Sequence, residues 1–151
     1  MKLAGRPESI TRVVTIDPYH RKFNAGMAMT LICMFYNERV HKPQGGWMNV
    51  NHIRMGNFHA SQSREVCRAV FWGLVEEKPN QDPTKKRSGI WRLTNVGKAF
   101  VKNEVTIFSH VWLLENVFKG FTGTQVSISQ LRGSNKNKFD YPELMRDSGL
   151  I

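Results

Sequence analysis

The first strongly apolar stretch of the chain has a helical pattern. Asn24 is a residue type that caps helix N-termini, and the pattern predicts a core helix from Asn24 to about Val40. The apolar residues at helical spacing are Met27, Leu31, Ile32 and Phe35. Pro43-Gln44-Gly45-Gly46 then breaks the helix, and Trp47-Met48 is short enough to form a single small strand.

Two helices joined by a tight turn are predicted next. Asn49 offers a cap for a helix over Val50–Met55, and Gly56-Asn57 tolerates the positive φ that a tight turn requires. The following helix is expected over Ser61–Trp72. Its apolar face contains Val66, Ala69, Val70 and Leu74, and its opposite face contains Ser61, Arg64, Glu65, Arg68 and Trp72.

A β-hairpin and a short helix complete this part of the pattern. Strands are predicted over Leu74–Lys78 and Ile90–Leu93. The loop between them, residues 79–88, contains residues that favour turns. A helix over Asn95–Asn103 should then direct its apolar side chains inward, and these are Val96, Phe100 and Val101.

The C-terminal part of the chain favours strands. Thr106–Leu114 is rich in β-branched, aromatic and aliphatic residues, Glu115-Asn116 can turn, and Val117–Phe121 can pair back as a hairpin. Gln125–Ser129 is a candidate third strand. Because an isolated hairpin is marginal in water, this unit must pack on the rest of the chain or on another copy. A homodimer contact through the hairpin and packing within one chain both stay open.

Together these patterns predict an α+β fold in three segments. Residues 1–23 form a basic, mostly extended arm, residues 24–104 form the main domain, and residues 105–151 form the β-hairpin appendage with a short terminal helix. Asp140, with Glu143 three residues later, predicts a capping box that opens this last helix.

The net charge of the chain indicates the class of partner that it binds. The chain of 151 residues has 22 Lys and Arg against 12 Asp and Glu, a formal net charge of +10. Such an excess is typical of proteins that bind a polyanion, and nucleic acid is the leading candidate. The alternative is that the charge only keeps the protein soluble.

Part of this charge falls on the helix 61–72 and on the loop that follows it. Arg64 and Arg68 lie on the free face of the helix, where they are candidates for reading bases or phosphates. The loop carries Lys85-Lys86-Arg87, which cannot be buried and must face solvent or a phosphate backbone. The alternatives are arginines paired with Glu65 or Glu76 and a lysine run that is merely solubilising.

A resemblance to the wing region of bacterial winged-helix regulators lies in two pieces of sequence. They are Gly73-Leu74-Val75-Glu76-Glu77 and, after the loop, Trp91-Arg92-Leu93-Thr94-Asn95-Val96-Gly97-Lys98-Ala99-Phe100. In those families a Gly-Leu-Val turn, a wing, and a Leu-Thr then Gly-Lys segment recur. The resemblance covers Met48–Phe100 and implies a winged helix-turn-helix core with helix 61–72 as the recognition helix and loop 79–88 as the wing.

The same resemblance implies which residues contact nucleic acid. They are Gln62, Ser63, Arg64 and Arg68 on the recognition helix, with Lys85, Lys86 and Arg87 on the wing. A second resemblance concerns Lys138–Met145, which is similar to the tails of small uncharacterised proteins of phages and mobile elements. It indicates a setting and no activity.

Other classes of function have little support in the sequence. Cys33 and Cys67 lie in apolar helical patterns, which favours reduced thiols in a cytoplasmic protein. The scattered histidines and the two cysteines give no metal spacing, no apolar stretch is long enough to span a membrane, and no glycine-rich phosphate loop or catalytic pair is evident. We therefore expect no enzyme, no cofactor, no metal and no membrane association.

The sequence thus predicts a duplex DNA-binding protein, a regulator of transcription or replication of bacterial or phage type. The recognition helix would enter the major groove, the wing would lie on the backbone or in the minor groove, and the basic arm could add a minor-groove contact. The alternative is a phage-type protein-interaction module, a host or defence-system inhibitor, whose basic face meets an acidic protein. Single-stranded nucleic acid stacked on Trp47, Trp72 or Trp91 is a third possibility.

Overall fold

The structure, a computed structural model, describes residues 19–60, 65–133 and 138–150. Its backbone divides into two compact units. The first unit combines the described part of residues 1–22 with Phe108–Thr124, and the second combines Phe23–Ile107 with the described part of residues 125–151. The helices and strands confirm a mixed α+β class, whereas the three-segment organisation stays a prediction.

The central helix of the second unit, α1 (Ala25–His41), is the one predicted from the first apolar stretch. The Asn24 side chain accepts a hydrogen bond from the Met27 backbone N–H at 2.9 Å, so it caps the helix as expected. The four residues predicted at helical spacing are buried, and so are Ala28, Cys33 and Met34. Because burial extends around most of its circumference, α1 is the core of this unit.

Phe23, immediately before α1, lies at the centre of the aromatic packing. Its ring meets the Trp72 ring edge-on at 5.2 Å between centroids and the Phe100 ring edge-on at 5.4 Å. All three rings are buried. This arrangement joins three distant parts of the chain and contributes on the order of 1 kcal/mol per pair beyond the area that is buried.

A three-stranded antiparallel sheet packs beside α1. Its strands are β2 (Met48–Asn49), β5 (Val75–Glu77) and β6 (Ile90–Leu93), in the order β2-β6-β5. The predicted hairpin is therefore confirmed. The register pairs Met48 with Trp91 on one side of β6 and Val75 with Leu93 on the other. Trp91 and Leu93 are buried and alternate with half-buried neighbours, so one face of the sheet packs inward.

The helix predicted over Val50–Met55 is wrong. Val50–His52 forms a single 3₁₀ turn, in which the Asn49 side chain accepts from the Asn51 N–H at 3.0 Å. The chain then forms a small antiparallel hairpin of β3 (Arg54–Met55) and β4 (Phe58–His59) around Gly56-Asn57. The glycine that suited a turn between helices suits a hairpin turn equally well, and the segment is too short to hold a helix on propensity alone.

A buried amide holds the start of that hairpin against the central helix. The Asn37 side chain donates to the Cys33 carbonyl oxygen at 2.8 Å and to the Arg54 carbonyl oxygen at 3.0 Å. Asn37 is thereby satisfied without water, as a buried polar group must be. This tertiary contact, which is distant in sequence, selects the extended backbone at Arg54.

The Leu-Thr and Gly-Lys residues have structural roles at and within helix α2 (Asn95–Val101). Thr94 caps the helix, because its hydroxyl accepts from the Gly97 N–H at 3.0 Å and donates to the Gly73 carbonyl oxygen at 2.6 Å. A Cβ atom at Gly97 would overlap the Leu74 carbonyl oxygen. Phe100 and Val101 are buried as predicted, whereas Val96 is exposed, so its inward assignment is wrong.

The first unit contains a three-stranded antiparallel sheet of β1 (Tyr19–Lys22), β7 (Ile107–Leu114) and β8 (Val117–Val126), with β7 in the middle. Strand β7 (Ile107–Leu114) and strand β8 (Val117–Val126) form the predicted hairpin around Glu115-Asn116, both of which have positive φ. The third strand is not Gln125–Ser129. It is β1 (Tyr19–Lys22), the end of the predicted extended arm, which pairs with β7.

The segment that was expected as a third strand has another structure in the second unit. Its first residues extend β8, and Ile128–Gln130 forms a 3₁₀ turn. A terminal helix, α3 (Tyr141–Asp147), follows as predicted. Asp140 accepts from the Glu143 N–H at 3.1 Å, and the Tyr141 hydroxyl donates to the Val101 carbonyl oxygen at 2.6 Å, which attaches α3 to the end of α2.

Candidate nucleic-acid interface

The basic loop between β5 and β6, which we call the wing loop (residues 78–89), has an internal hydrogen-bond framework. The Lys78 N–H donates to the Ile90 carbonyl oxygen at 2.9 Å and closes the base of the loop. The Asn80 side chain donates to the Lys85 carbonyl oxygen at 2.6 Å, and Asp82 accepts from the Thr84 N–H at 3.0 Å. These bonds define the path of the loop before any ligand is present.

Asp82 is the acid that organises the tip of this loop. Its carboxylate accepts from the Thr84 hydroxyl at 2.7 Å as well as from the Thr84 N–H. These two hydrogen bonds lower the pKa of Asp82 below its ordinary value. The carboxylate is thus engaged in the turn, and it forms no ion pair with a described basic residue.

Three predicted site residues, Lys85, Lys86 and Arg87, are exposed on the wing loop. Arg87 lies 3.7 Å from a Glu77 carboxylate oxygen, a long ion pair, and Glu77 also accepts from the Ser88 N–H. Lys85 and Lys86 form no ion pair with any residue in the described ranges. Two adjacent ammonium groups therefore face solvent on a loop with a defined path.

The arginine at the base of the wing, Arg92, has a structural role. Its guanidinium donates to Glu76 at 2.9 Å and to the Gly45 carbonyl oxygen at 3.0 Å, and it lies 4.1 Å from the centroid of the Trp47 ring. Lys78 lies over the same ring at 6.0 Å. This cluster was not predictable from the sequence, because Trp47 and Arg92 are far apart along the chain.

A polar cleft of about 450 Å³ opens next to this cluster. Lys98 on α2 pairs with Glu38 on α1 at 2.8 Å, and Arg92 and Glu76 form a second ion pair in its wall. The other carboxylate oxygen of Glu38 is buried and has no hydrogen bond within the described residues. Because the cleft contains both signs of charge in pairs, it is unsuited to a polyanion.

The predicted recognition helix is described only from Glu65 onward. Gln62, Ser63 and Arg64 lie outside the described residues, so the structure does not test their assignment. The remainder, Val66–Trp72, is a 3₁₀-helix that ends at Gly73. An α-helix had been expected.

The 3₁₀ period overturns the predicted division of this helix into faces. With three residues per turn, Val66, Ala69 and Trp72 fall in one row, and all three are buried. Val70, assigned to the core, is 42% exposed, and Trp72, assigned to the free face, is only 6% exposed. The prediction failed because it used a period of 3.6 residues.

Of the four residues predicted to contact nucleic acid from the recognition helix, the structure describes Arg68, and its charge is paired with that of Glu65. Its guanidinium lies 2.8 Å from a carboxylate oxygen of the buried Glu65, at the i, i+3 spacing that a 3₁₀-helix brings into line. The pairing with Glu65 was the alternative considered from the sequence. Arg68 is therefore a weaker candidate for base or phosphate contact than the wing lysines.

The three tryptophans that the sequence suggested as stacking platforms for bases have rings that are buried or covered. Trp72 and Trp91 are buried in the core of the second unit. Trp47 is partly exposed but its ring is covered by the Arg92 guanidinium. Exposed ring surface occurs instead on three phenylalanines of the first unit, Phe108, Phe118 and Phe121. Alternation in β7 was the sequence signal that could have identified Phe108.

The remaining expectations concern the cysteine thiols, metal binding and membrane-spanning helices. Burial raises the pKa of the Cys33 thiol to about 12, with a hydrogen bond from Asn37 opposing that shift. Among the described residues there is no group of three or more His, Cys, Asp or Glu side chains able to hold a metal ion. In the same ranges, no helix combines the length and the apolar character that crossing a bilayer requires.

Comparison of the chain with known protein families, with characterised proteins and with solved structures finds no match in any of the three.

Proposed function

We propose that the second unit is a winged helix-turn-helix domain that binds duplex DNA, with the wing loop on the phosphate backbone. The observation that carries this proposal is the pair of lysines, Lys85 and Lys86. They are exposed, they have no ion-pair partner among the described residues, and they are held on an internally hydrogen-bonded loop. Preorganised cations lose little conformational entropy when they bind a polyanion.

The topology of the second unit supports the assignment to a winged helix. A core helix precedes a short strand, and that strand pairs with the second strand of a hairpin, in the order β2-β6-β5. The long basic loop joins β5 and β6, and a helix follows. These elements agree in order with part of the fold that the sequence resembles.

One departure from that pattern determines the kind of binding that we propose. The segment expected as the first helix of the helix-turn-helix is a 3₁₀ turn and a small hairpin, and Arg68 is paired with Glu65. The described residues thus favour contacts to phosphates, which carry no sequence information. Gln62, Ser63 and Arg64 stay the candidates for base contacts, and a regulatory role in a bacterium or phage stays a prediction.

Fluorescence anisotropy with a labelled duplex tests the proposal. We expect measurable affinity at about 50 mM salt that falls steeply toward about 200 mM, because cation binding to DNA releases counterions. The double variant Lys85→Ala/Lys86→Ala should weaken binding to every sequence alike and reduce the slope of log K against log salt by about 2.

A matched control removes the same charge elsewhere in the second unit. Lys102→Ala/Lys138→Ala deletes two exposed lysines outside the wing loop and should leave both affinity and slope nearly unchanged. If the two double variants behave identically, the wing has no special role. If unlabelled random duplex fails to compete at micromolar levels, the basic face meets an acidic protein instead.

A further inference from the structure

The sheet of the first unit presents a continuous aromatic surface. Phe108, Phe118 and Phe121 are 38%, 41% and 45% exposed. The Phe108 and Phe121 rings stack at 5.6 Å with an interplanar angle of 16°, and Phe118 meets Phe121 edge-on at 5.1 Å. We call these three residues the aromatic cluster. The exposed parts of the Phe118 and Phe121 rings on β8 offer apolar surface on which a ligand can stack.

Basic side chains share the face on which Phe108 lies. Burial alternates along β7, so Phe108 and His110 lie opposite the buried Ser109 and Val111. Lys22 of β1 is the direct partner of His110, and antiparallel partners project to the same face of a sheet. The exposed ammonium of Lys22 therefore flanks the aromatic surface.

The described part of the first unit, residues 19–22 and 108–124, carries an excess of positive charge. It contains Arg21, Lys22 and Lys119 against a single acid, Glu115, which lies in the hairpin turn. Lys119 lies between Phe118 and Phe121 along β8. Positive charge interleaved with exposed rings is complementary to a ligand that has both phosphates and flat apolar faces.

We infer that this face binds single-stranded nucleic acid, with bases stacking on the aromatic cluster and phosphates meeting Lys22 and Lys119. A duplex hides the faces of its bases, so it cannot use these rings. A second copy of the chain would bring like charges together across the same surface. This site lies on a different unit from the wing loop and does not depend on duplex binding.

The test uses the full chain and labelled oligonucleotides of about 16 nucleotides, the upper end of typical single-strand site sizes. The probes are oligothymidylate, oligouridylate, and an abasic oligomer with the same phosphates but no bases. We expect the wild-type chain to bind one or both base-containing probes at least about tenfold more tightly than the abasic oligomer, because each stacked base contributes.

A conservative double variant separates stacking from general apolarity. Phe118→Leu/Phe121→Leu keeps apolar side chains but removes both ring faces, and it should weaken binding of the base-containing probe at least about tenfold. Val117→Ala, at an exposed neighbour in β8, should leave it unchanged. Circular dichroism establishes that each variant is folded. The loss should persist in the Lys85→Ala/Lys86→Ala background, which separates this site from the wing.

Four outcomes would overturn the inference. The first is equal affinity for abasic and base-containing probes, and the second is unchanged binding by the leucine variant. In the third, the oligonucleotides do not bind and sedimentation velocity shows a dimer, so the face pairs with a second copy. In the fourth, the oligonucleotides do not bind but vesicles of phosphatidylcholine and phosphatidylserine do, so the face meets a membrane.

Discussion

The guanidinium carbon of Arg92 lies 4.1 Å from the centroid of the Trp47 ring. The same guanidinium donates to Glu76 on β5 and to the Gly45 carbonyl oxygen, so one side chain connects β5 with the turn that leads into β2. The planar guanidinium of arginine can stack on a ring and donate hydrogen bonds in two directions at once, which a lysine ammonium cannot do. Arg92 therefore has a structural role at the base of the wing, which is distinct from a role as a phosphate ligand.

Replacement of Arg92 by lysine separates these two roles. Arg92→Lys keeps the charge but loses the stacked fork, so we expect the free energy of unfolding to fall by about 1 kcal/mol. Urea denaturation measures the fall, with Arg146→Lys on the exposed surface of α3 as control. Duplex affinity should change less than about twofold, within a few tenths of a kcal/mol. A stable variant with weakened DNA binding would instead make Arg92 a phosphate ligand.

The glycine of the Gly-Lys segment has a steric cause that can be tested. Gly97→Ala places a Cβ atom on the Leu74 carbonyl oxygen, so the helix or the strand must move. We expect a loss of about 1–3 kcal/mol in the free energy of unfolding, measured by denaturation. Val96→Ala at the exposed neighbouring position should change it by less than about 0.5 kcal/mol. Equal effects at the two positions would contradict the close approach of α2 to Leu74.

The period of the helix Val66–Trp72 predicts opposite results for two adjacent substitutions. Ala69→Asp places an unpaired charge in the buried row and should unfold the second unit. Val70→Asp, at an exposed position, should leave a folded protein with a loss of no more than about 1 kcal/mol. Thermal melts followed by circular dichroism compare the two. The reverse pattern would restore the 3.6-residue period.

The two thiols should differ in reactivity in the folded protein. Cys33 is fully buried and Cys67 is partly exposed. We expect a disulfide reagent at about pH 8 to modify one thiol per chain at first, with Cys67 as the modified residue by peptide mapping. Cys33 should react only after denaturant is added. Rapid modification of both thiols in the native protein would contradict the burial of α1.

Burial of Cys33 also makes the stability depend on pH. Burial raises its pKa from the ordinary value of 9.0 to about 12 on folding, so above pH 9.0 the unfolded thiol ionises while the folded thiol stays protonated. The free energy of unfolding should therefore fall as pH rises from about 9 toward about 12, by up to about 1.4 kcal/mol per pH unit. Denaturation of the wild type and Cys33→Ala at several pH values should show a shallower fall in the variant.

Local sequence predicted those features that local physics determines. Helix α1 was predictable because its cap and apolar spacing agree, and the wing lysines were predictable because charge in a loop cannot be buried. The pairing of β1 with β7 was not, because strand partners are chosen by contacts that are distant in sequence. The 3₁₀ period at Val66–Trp72, where Trp72 packs edge-on against Phe23, was not predictable either, because residue propensity does not encode tertiary contacts.

The internal framework of the wing loop yields a prediction about binding that involves no change in charge. Asn80→Ala removes the hydrogen bond to the Lys85 carbonyl oxygen, so the backbone beside Lys85 and Lys86 gains conformational freedom. If the preorganised loop contacts phosphates, that freedom must be lost again on binding, at a cost of about 1 kcal/mol per ordered residue.

We therefore expect Asn80→Ala to lower duplex affinity by about fivefold, which corresponds to about 1 kcal/mol, with an unchanged slope of log K against log salt. The slope should not change because the number of phosphate contacts stays the same. Gln81→Ala, at an exposed neighbouring position, is the matched control and should bind as the wild type does. A reduced slope in Asn80→Ala would mean that a contact was lost and not merely loosened. Unchanged affinity would show that the hydrogen-bonded path of the loop has no part in binding.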